Sequence, residues 1–314
     1  MRLDESEQSE NIEDRRGEPG GFGGGGFGFP MGGGGLGIGT LIILGLIGWA
    51  LGIDPRVLIG GAEMLGGGHH TQYQQPAPSQ ARHVGKPSDD IGRFVSTVLG
   101  NLDREWSDIF KNDGRTYRRP ILVMYSGQTQ AACGGVAQSA MGPFYCPQDQ
   151  KIYLDTSFFK EIENRFHGCE VNSTSCQFSQ AYVIAHEVGH HIQNLLGILP
   201  KVQQRQQQMD RRSANQLQVQ VELQADCLAG AWAKHENERL QREGKPPLVG
   251  PGDVEAALQT ASAIGDDTLQ RKATGRVVPD SFTHGSSEQR QRWFSTGYRE
   301  GTVAACNTFR STDL

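Results

Sequence analysis

The chain has 314 residues, of which 36% are hydrophobic, and it carries 42 glycines and a formal net charge of -5. This length leaves room for a buried core, which excludes a small disulfide-stapled scaffold and a fully disordered chain. Of the glycines, 22 lie between Gly17 and Gly68, so the globular part is confined to roughly 225 later residues. The near-neutral remainder has no basic face that would collect phosphates, so we expect no nucleic-acid partner.

The first 87 residues are predicted to lie outside the globular domain. Residues 1–35 form an acidic and then glycine-rich leader, which we expect to be disordered. Residues 36–53 (LGIGTLIILGLIGWALGI) contain no charge, and this length spans a bilayer as a helix. Their glycines suit a membrane helix better than a soluble one, although a buried soluble helix is the alternative. Residues 54–87 follow as a flexible linker.

The charges that flank the apolar segment predict its orientation. Arg2, Arg15 and Arg16 precede it, whereas only Arg56 follows it closely. Positive residues stay on the cytoplasmic side. We therefore expect a single-pass protein of the inner membrane, with its N-terminus in the cytoplasm and its domain in the periplasm or otherwise outside.

Cysteine usage agrees with an exported domain. The six cysteines are an even number, and all follow the apolar segment, as in proteins that form disulfides in oxidising compartments. The alternative is six reduced, buried thiols. No CxxC pair is present, which disfavours a structural zinc site of four cysteines. Short loop closures favour the pairs Cys133–Cys146 and Cys169–Cys176, which leaves Cys227–Cys306.

Residues 88–314 are predicted to form one α+β domain that is mostly helical. Apolar residues at helical spacing predict a first helix over residues 91–110. Pro120–Tyr125 and Lys151–Asp155 are typical of strands, and helical patterns dominate afterwards. The glutamine-rich stretch 203–220 has biased composition within a predicted helix.

The HExxH motif formed by His186, Glu187 and His190 is the strongest functional signal. An apolar stripe between Phe178 and Leu196 predicts that a helix carries the motif, which places both histidines on one face. Two imidazoles so placed can hold one Zn²⁺. His191 lies about 100° further around the helix, so we do not expect it to be a ligand.

A catalytic zinc takes three protein ligands and leaves a fourth position for water. Glu222 is the predicted third ligand, because it lies on an apolar helical segment downstream of the motif. Asp226, one turn later, is predicted to accept the free N–H of a ligating histidine. The alternative is a solvated carboxylate pair.

Five sequence blocks resemble the neutral zinc metallopeptidases of bacteria. This resemblance covers most of the chain and implies a gluzincin-type, zincin-like fold, with a small sheet beside the active-site helix and an N-terminal membrane anchor. It also implies a metallopeptidase activity, but says little about the substrate. The blocks are NIEDRRG (11–17), GPFYCPQDQKIYLD (142–155), AYVIAHEVGHHIQ (181–193), ELQADCLAGAWA (222–233) and SFTHGSSEQRQRWF (281–294).

The motif predicts how peptide hydrolysis would proceed. Glu187 would serve as the general base toward a zinc-activated water. His284 is the weak first choice for a donor to the oxyanion, with Tyr298, Arg290 and Arg292 as alternatives. By analogy with zincins, the strand KIYLD would offer a backbone edge to an extended peptide.

Three functions are consistent with these patterns. The leading prediction is a membrane-anchored, zinc-dependent metallopeptidase that hydrolyses peptide bonds. The alternative is a catalytically silent zinc-binding module, for a partner or for chaperoning, on the same fold. An intact Glu187 favours the peptidase, because a binding module needs no general base. A zinc hydrolase of non-peptide amides is a third reading, without a carbohydrate-binding signature to support it.

Overall fold

The computed structural model describes residues 8–18, 84–133, 135–164 and 174–310. Within these ranges the protein is mostly helical, with two small sheets, as the sequence predicts for an α+β domain. The helices are α1 (Asp90–Asn112), α2 (Phe158–Asn164), α3 (Thr174–Leu195), α4 (Ile198–Gln206), α5 (Arg211–Arg242), α6 (Pro251–Ala263), α7 (Asp266–Thr274) and α8 (Ser287–Glu300).

The larger sheet has four strands in the order β1-β2-β6-β5. β1, β2 and β6 are parallel, whereas β5 runs antiparallel to β6 and forms one edge. The smaller sheet is an antiparallel pair of β3 and β4. The strands are β1 (Ile12–Asp14), β2 (Ile121–Tyr125), β3 (Gln128–Ala131), β4 (Gly135–Gln138), β5 (Phe144–Cys146) and β6 (Lys151–Asp155).

This strand order corrects one expectation. The segment KIYLD is β6, and it pairs with β2 on one side and with β5 on the other. Over Lys151–Tyr153 both sides of its backbone are therefore occupied, so this part offers no edge to a peptide. The strand at that edge is β5, which periodicity could not reveal because only three residues pair with β6.

The predicted first helix is confirmed as α1. The side chain of Asp89 accepts a hydrogen bond from the Gly92 amide and caps its N-terminus, which satisfies one of the free donors of the first turn. Its apolar stripe, from Val95 to Phe110, is buried in the main core. The stripe packs between the four-stranded sheet and α3, the helix that carries the HExxH motif.

α5 is the central helix of the domain, and glycines allow close approach to its neighbours. A Cβ on Gly297 of α8 would lie 1.8 Å from the Cys227 carbonyl oxygen, and one on Gly230 would lie 2.1 Å from the Phe294 carbonyl oxygen. Such contacts are far inside van der Waals distance, so only glycine permits this packing. α8 therefore lies directly against the backbone of α5.

The glutamine-rich stretch is not one helix, contrary to the expectation. α4 ends at Gln206 and α5 begins at Arg211. The break lies at Asp210, whose carboxylate accepts from the Ser213 amide and caps α5. Asp is favoured at such a position because its side chain replaces the missing backbone acceptor.

Two of the predicted disulfides are present. Cys133 pairs with Cys146, and Cys227 pairs with Cys306. Cys176 is also disulfide-bonded, while its predicted partner Cys169 lies outside the described residues. These bridges agree with a domain that folds in an oxidising, extracytoplasmic compartment.

The leader is not separate from the domain, contrary to the expectation. Residues 8–18, called here the N-terminal arm, pack against the domain and supply β1 to the sheet. The buried guanidinium of Arg15 pairs with Glu13 at 2.8 Å and donates to Thr129 Oγ1 at 2.9 Å. Lys151 also pairs with Glu13, at 2.7 Å. A disordered acidic leader was predicted because composition alone does not reveal a strand of three residues.

The position of β1 constrains the membrane topology. Strands that share a ladder lie in one compartment, so residues 12–14 and the domain lie on the same side of any membrane. This is not compatible with a cytoplasmic N-terminus and an external domain joined by one crossing. The predicted span at 36–53 lies outside the described residues. None of the described helices is both long enough and apolar enough to cross a bilayer.

Replacement of Arg15 by Met should lower the free energy of unfolding by about 3 kcal/mol, because it leaves the buried Glu13 short of a partner. The matched control is Arg16→Met, which removes pairs with the partly exposed Asp14 and Asp89 and should cost at most about 1 kcal/mol. Urea unfolding of the full chain measures both. Equal losses would mean that the arm is not docked.

Candidate metal centre

Helices α3 and α5 bring the predicted ligands together. Ligand atoms of His186, His190 and Glu222 all lie within 4.8 Å of one another. Glu222 Oε2 is 3.2 Å from His186 Nε2 and 3.4 Å from His190 Nε2. His186 and Glu222 are buried, and the side chain of His190 is only 13% exposed. The three residues therefore form one compact, shielded group.

The crossing of α3 and α5 explains this proximity. A Cβ on Gly189, within the motif, would lie only 3.0 Å from the backbone of Ala225 on α5. A larger residue would push the helices apart. Because Glu222 is one turn before Ala225, its side chain reaches the face where His186 and His190 lie.

The donor set fits a zinc ion. Two imidazole nitrogens and one carboxylate oxygen are ligands that zinc takes in catalytic sites, with a fourth position left for water. Burial raises the pKa of Glu222 on its own, but the charges of His190 and His284 outweigh this and hold it well below its usual range. The carboxylate is therefore ionised, as a ligand must be.

Glu187 lies beside this group with an unused oxygen. Its side chain is buried, and Oε2 has no hydrogen-bond partner among the described residues. Burial raises the pKa of Glu187, although the charges of His186 and His190 oppose the shift. A buried carboxylate oxygen without a partner is costly, which points to a role for it next to a bound molecule.

Asp226 contacts the imidazole of His186 through the ring nitrogen that does not face Glu222. His186 Nδ1 is 2.8 Å from Asp226 Oδ1, which leaves Nε2 to face Glu222. Burial lowers the pKa of His186, but the charge of Asp226 and its hydrogen bond outweigh this and raise it to about 10. A metal would displace this proton from the ring, because a histidine ligand binds through a neutral nitrogen.

Asp226 is itself held by two buried side chains. The Arg290 guanidinium donates to both carboxylate oxygens, at 2.8 and 2.9 Å, and the Tyr182 hydroxyl donates to Oδ1 at 2.6 Å. The charge of Arg290 lowers the pKa of Asp226 against the effect of burial. Arg290 was considered as an oxyanion donor, but the structure assigns its guanidinium to Asp226.

His284 lies on the loop before α8 and is fixed by Asp266 at the start of α7. Asp266 Oδ2 accepts the backbone amides of Thr283, His284 and Gly285 at 2.7, 2.6 and 3.1 Å. Its Oδ1 lies 3.5 Å from His284 Nδ1. Burial lowers the pKa of His284, but Glu222 and Asp266 outweigh it and raise the value. His284 is therefore electrostatically linked to the metal group.

His191 is not among the metal-ligand candidates, as expected from its position on the helix. Its Nε2 donates to the Arg118 carbonyl at 2.6 Å, so Nδ1 accepts from the Tyr145 hydroxyl at 3.0 Å. The Tyr145 hydroxyl also accepts from Asn194 at 2.9 Å. These bonds join the motif helix α3 to the edge strand β5.

Comparison with known proteins places the chain in a family. Residues 1–309 match the family described as "Putative neutral zinc metallopeptidase". The chain belongs to this family. The match includes the N-terminal arm as well as the metal centre, so the family extends over both parts of the structure.

Two relatives illustrate the extent of the family. A protein of Escherichia coli K12 named "Uncharacterized protein YpfJ" is 43% identical over 311 residues, which cover 98% of this chain and 99% of that protein. A protein of Mycobacterium tuberculosis H37Rv named "Uncharacterized protein Rv2575" is 41% identical over 232 residues, or 72% of this chain and 74% of its own. No solved structure was found to match the chain.

Several site residues carried no signal in the sequence. Asp266 is separated from His284 by the rest of helix α7 and the segment that follows it, and Tyr182 and Gln193 look like members of the motif helix with no special role. Tyr145 was recognised only as part of the resemblance block GPFYCPQDQKIYLD. These contacts form only in the folded protein, where α3, α5 and the loop before α8 lie together.

The buried His191 should make folding stability depend on pH. Burial lowers its pKa to about 4, below the value of about 6.5 for an unfolded histidine. As pH falls from about 6.5 to 4, the unfolded chain binds a proton that the folded protein does not. The free energy of unfolding should therefore fall by about 3 kcal/mol over this window.

Comparison with His191→Phe isolates this effect, because the variant has no imidazole to protonate at position 191. Urea unfolding at several pH values should show a shallower dependence in the variant. Parallel pH profiles for the two proteins would contradict the assignment.

Proposed function

We propose that this protein is a zinc-dependent metallopeptidase that acts on peptide bonds in an extracytoplasmic compartment. The observation that carries the proposal is the unpartnered, buried Oε2 of Glu187 beside the His186, His190 and Glu222 group. A module that only binds zinc has no need for a buried acceptor at this position. The family and the disulfides support the reaction class and the compartment.

His186, His190 and Glu222 would hold the zinc ion. When bound, zinc supplies a positive charge that activates a water for attack and polarises the carbonyl of the peptide. The protein's part is to keep both histidines oriented and the carboxylate ionised. Asp226 does this for His186, and its own position is fixed by Arg290.

Glu187 would act as the general base. Its burial raises the pKa of the carboxyl group, and a raised pKa makes a carboxylate a better proton acceptor near neutral pH. Oε2 would take the proton of the attacking water and then pass it to the leaving amine. The charges of His186, His190 and Glu222 all act on the Glu187 carboxyl group, so it lies near the residues that would hold the zinc ion.

His284 would donate a hydrogen bond to the oxyanion that forms on the carbonyl carbon. Its charge acts on both Glu222 and Glu187, whose pKa values it lowers, so it lies near the reacting centre. Its side chain is 35% exposed, which leaves it accessible to a substrate. Burial lowers the pKa of His284, but Glu222 and Asp266 outweigh it and raise the value, which favours the ring form with an N–H on both nitrogens.

An extended peptide substrate would bind along β5, the edge strand nearest to α3. One side of β5 pairs with β6, and its other side is the end of the four-stranded sheet. Backbone pairing at a free edge is a recurrent way to bind peptides. Tyr145 on β5 is hydrogen-bonded to His191 and Asn194, so this edge is fixed relative to the motif helix.

Replacement of Glu187 by Gln should lower kcat by about a thousandfold, because it removes a general base, while one zinc per chain remains bound. Cleavage of an unfolded protein and elemental analysis measure the two effects. The full chain is required, since the N-terminal arm is part of the domain. The matched control is Glu238→Gln on the exposed face of α5, which should change neither.

Each result separates the candidate functions. Zinc bound to both proteins, with cleavage only by the parent, supports the peptidase. Zinc bound without cleavage of any unfolded substrate would favour the catalytically silent module. A parent protein without zinc would overturn the metal centre itself.

Replacement of His284 by Leu, which has no N–H to donate, should lower kcat by about a hundredfold, the usual effect of losing one oxyanion donor. The KM and zinc content should remain close to those of the parent, because His284 is not a proposed ligand. Steady-state kinetics on a fluorogenic peptide measure both parameters. A loss of zinc, or a rise in KM at constant kcat, would contradict this role.

A further inference from the structure

The second histidine of the motif has a support of its own. His190 Nδ1 lies 2.9 Å from Gln193 Oε1, one turn later on α3. Gln193 is fully buried, so its amide groups must find partners within the protein. We infer that Gln193 and Gln224 are positioning residues that set the tautomer and orientation of His190 for zinc. This inference rests on the proposed function.

The orientation of the Gln193 amide is fixed by a main-chain group. Gln193 Nε2 donates to the Val221 carbonyl at 2.7 Å. A carbonyl only accepts, so the nitrogen must be on that side and Oε1 must face His190. The same nitrogen also donates to Gln224 Oε1 at 3.0 Å.

Gln224 is fixed in the same way from the C-terminal segment. Its Nε2 donates to the Cys306 carbonyl at 2.8 Å, which places its Oε1 toward Gln193. Gln224 is buried, and Cys306 is tied by its disulfide to Cys227, one turn beyond Gln224 on α5. The acceptor at the end of this hydrogen-bond chain is therefore held by a covalent link.

The hydrogen-bonded amides of Gln193 and Gln224 fix which nitrogen of the His190 ring carries the hydrogen. Since Gln193 Oε1 can only accept, His190 Nδ1 must carry the hydrogen, so the neutral ring that binds a metal would present the lone pair of Nε2. His190 Nε2 is the atom that lies 3.4 Å from Glu222 Oε2 in the ligand group. A partner that fixes the tautomer of a ligand raises its readiness to bind metal.

The two histidine ligands are thus supported by different chemistry. His186 faces the carboxylate of Asp226, whereas His190 faces a neutral amide. A carboxylate could only accept hydrogen bonds. The Gln193 amide accepts from His190 and also donates to Gln224, whose own amide donates to the Cys306 carbonyl. The inference concerns residues that HExxH does not include.

Replacement of Gln193 by Met in the full chain tests this role, because Met keeps the length of the side chain and removes both amide groups. Zinc affinity, measured by competition with a chromophoric chelator, should fall by about 10-fold to 100-fold. Gln224→Met should weaken binding in the same direction but less. The matched control is Gln216→Met on the exposed face of α5, which should bind zinc as the parent does.

A second measurement distinguishes positioning from mere stability. In the Co²⁺-loaded parent, proton NMR should show two exchangeable, paramagnetically shifted ring N–H signals, one for each ligating histidine. In Gln193→Met the signal of His190 should broaden by exchange with water, while that of His186 persists. Circular dichroism checks that the variants are folded. If Gln193→Met does not fold, Gln224→Met is used for the same measurements.

The outcomes are separable from those of the proposed function. Parent-like zinc affinity in both Gln193→Met and Gln224→Met would overturn the inference, as would weaker binding with both N–H signals unchanged. If the parent binds neither Zn²⁺ nor Co²⁺, the proposed metal centre fails, and the inference fails with it. If the parent binds zinc but does not cleave, only the peptidase activity is refuted.

Discussion

The close crossing of helices α3 and α5 is the contact on which the candidate site depends. At Gly189 the motif helix lies so near Ala225 that a Cβ would be 3.0 Å from its backbone. This spacing lets side chains from α5 reach both faces of the motif. Glu222 contacts the two histidines, Asp226 contacts Nδ1 of the His186 ring, and Gln224 contacts Gln193. A wider crossing would separate the two histidines from Glu222, Asp226 and Gln224.

α8 completes the arrangement from the other side of α5. Its backbone approaches α5 at Gly230 and Gly297, and the Cys227–Cys306 disulfide holds the segment that follows it. This packing places Arg290 against Asp226 in the interior, where an ion pair needs full hydrogen bonding to offset desolvation. Asp226 satisfies that need with three donors to one oxygen and one to the other. The buried carboxylate of Asp226 is thus fully hydrogen-bonded by the residues around it.

The sheet has a separate role, which is to join the N-terminal arm and the edge strand to the helical core. β1 adds the arm at one end of the sheet, and β5 forms the other end near α3. The buried pair of Arg15 and Glu13 fixes the arm, so residues that precede the glycine-rich region are part of the domain. A description of the protein as an anchor followed by an independent domain does not account for this strand.

The sequence by itself determined the first helix and identified His186 and His190 as candidate ligands and Glu187 as the candidate base, because each depends on local spacing along one helix. It also suggested Glu222 through its pattern, and the disulfides Cys133–Cys146 through loop length and Cys227–Cys306 by elimination. Only the tertiary structure decided which strand lies at the edge, that residues 12–14 join the sheet, and that Arg290 supports Asp226. It also revealed Asp266, Gln193 and Gln224 as partners of the site. These depend on contacts between segments far apart in the chain, and hydrophobic periodicity carries no information about such contacts.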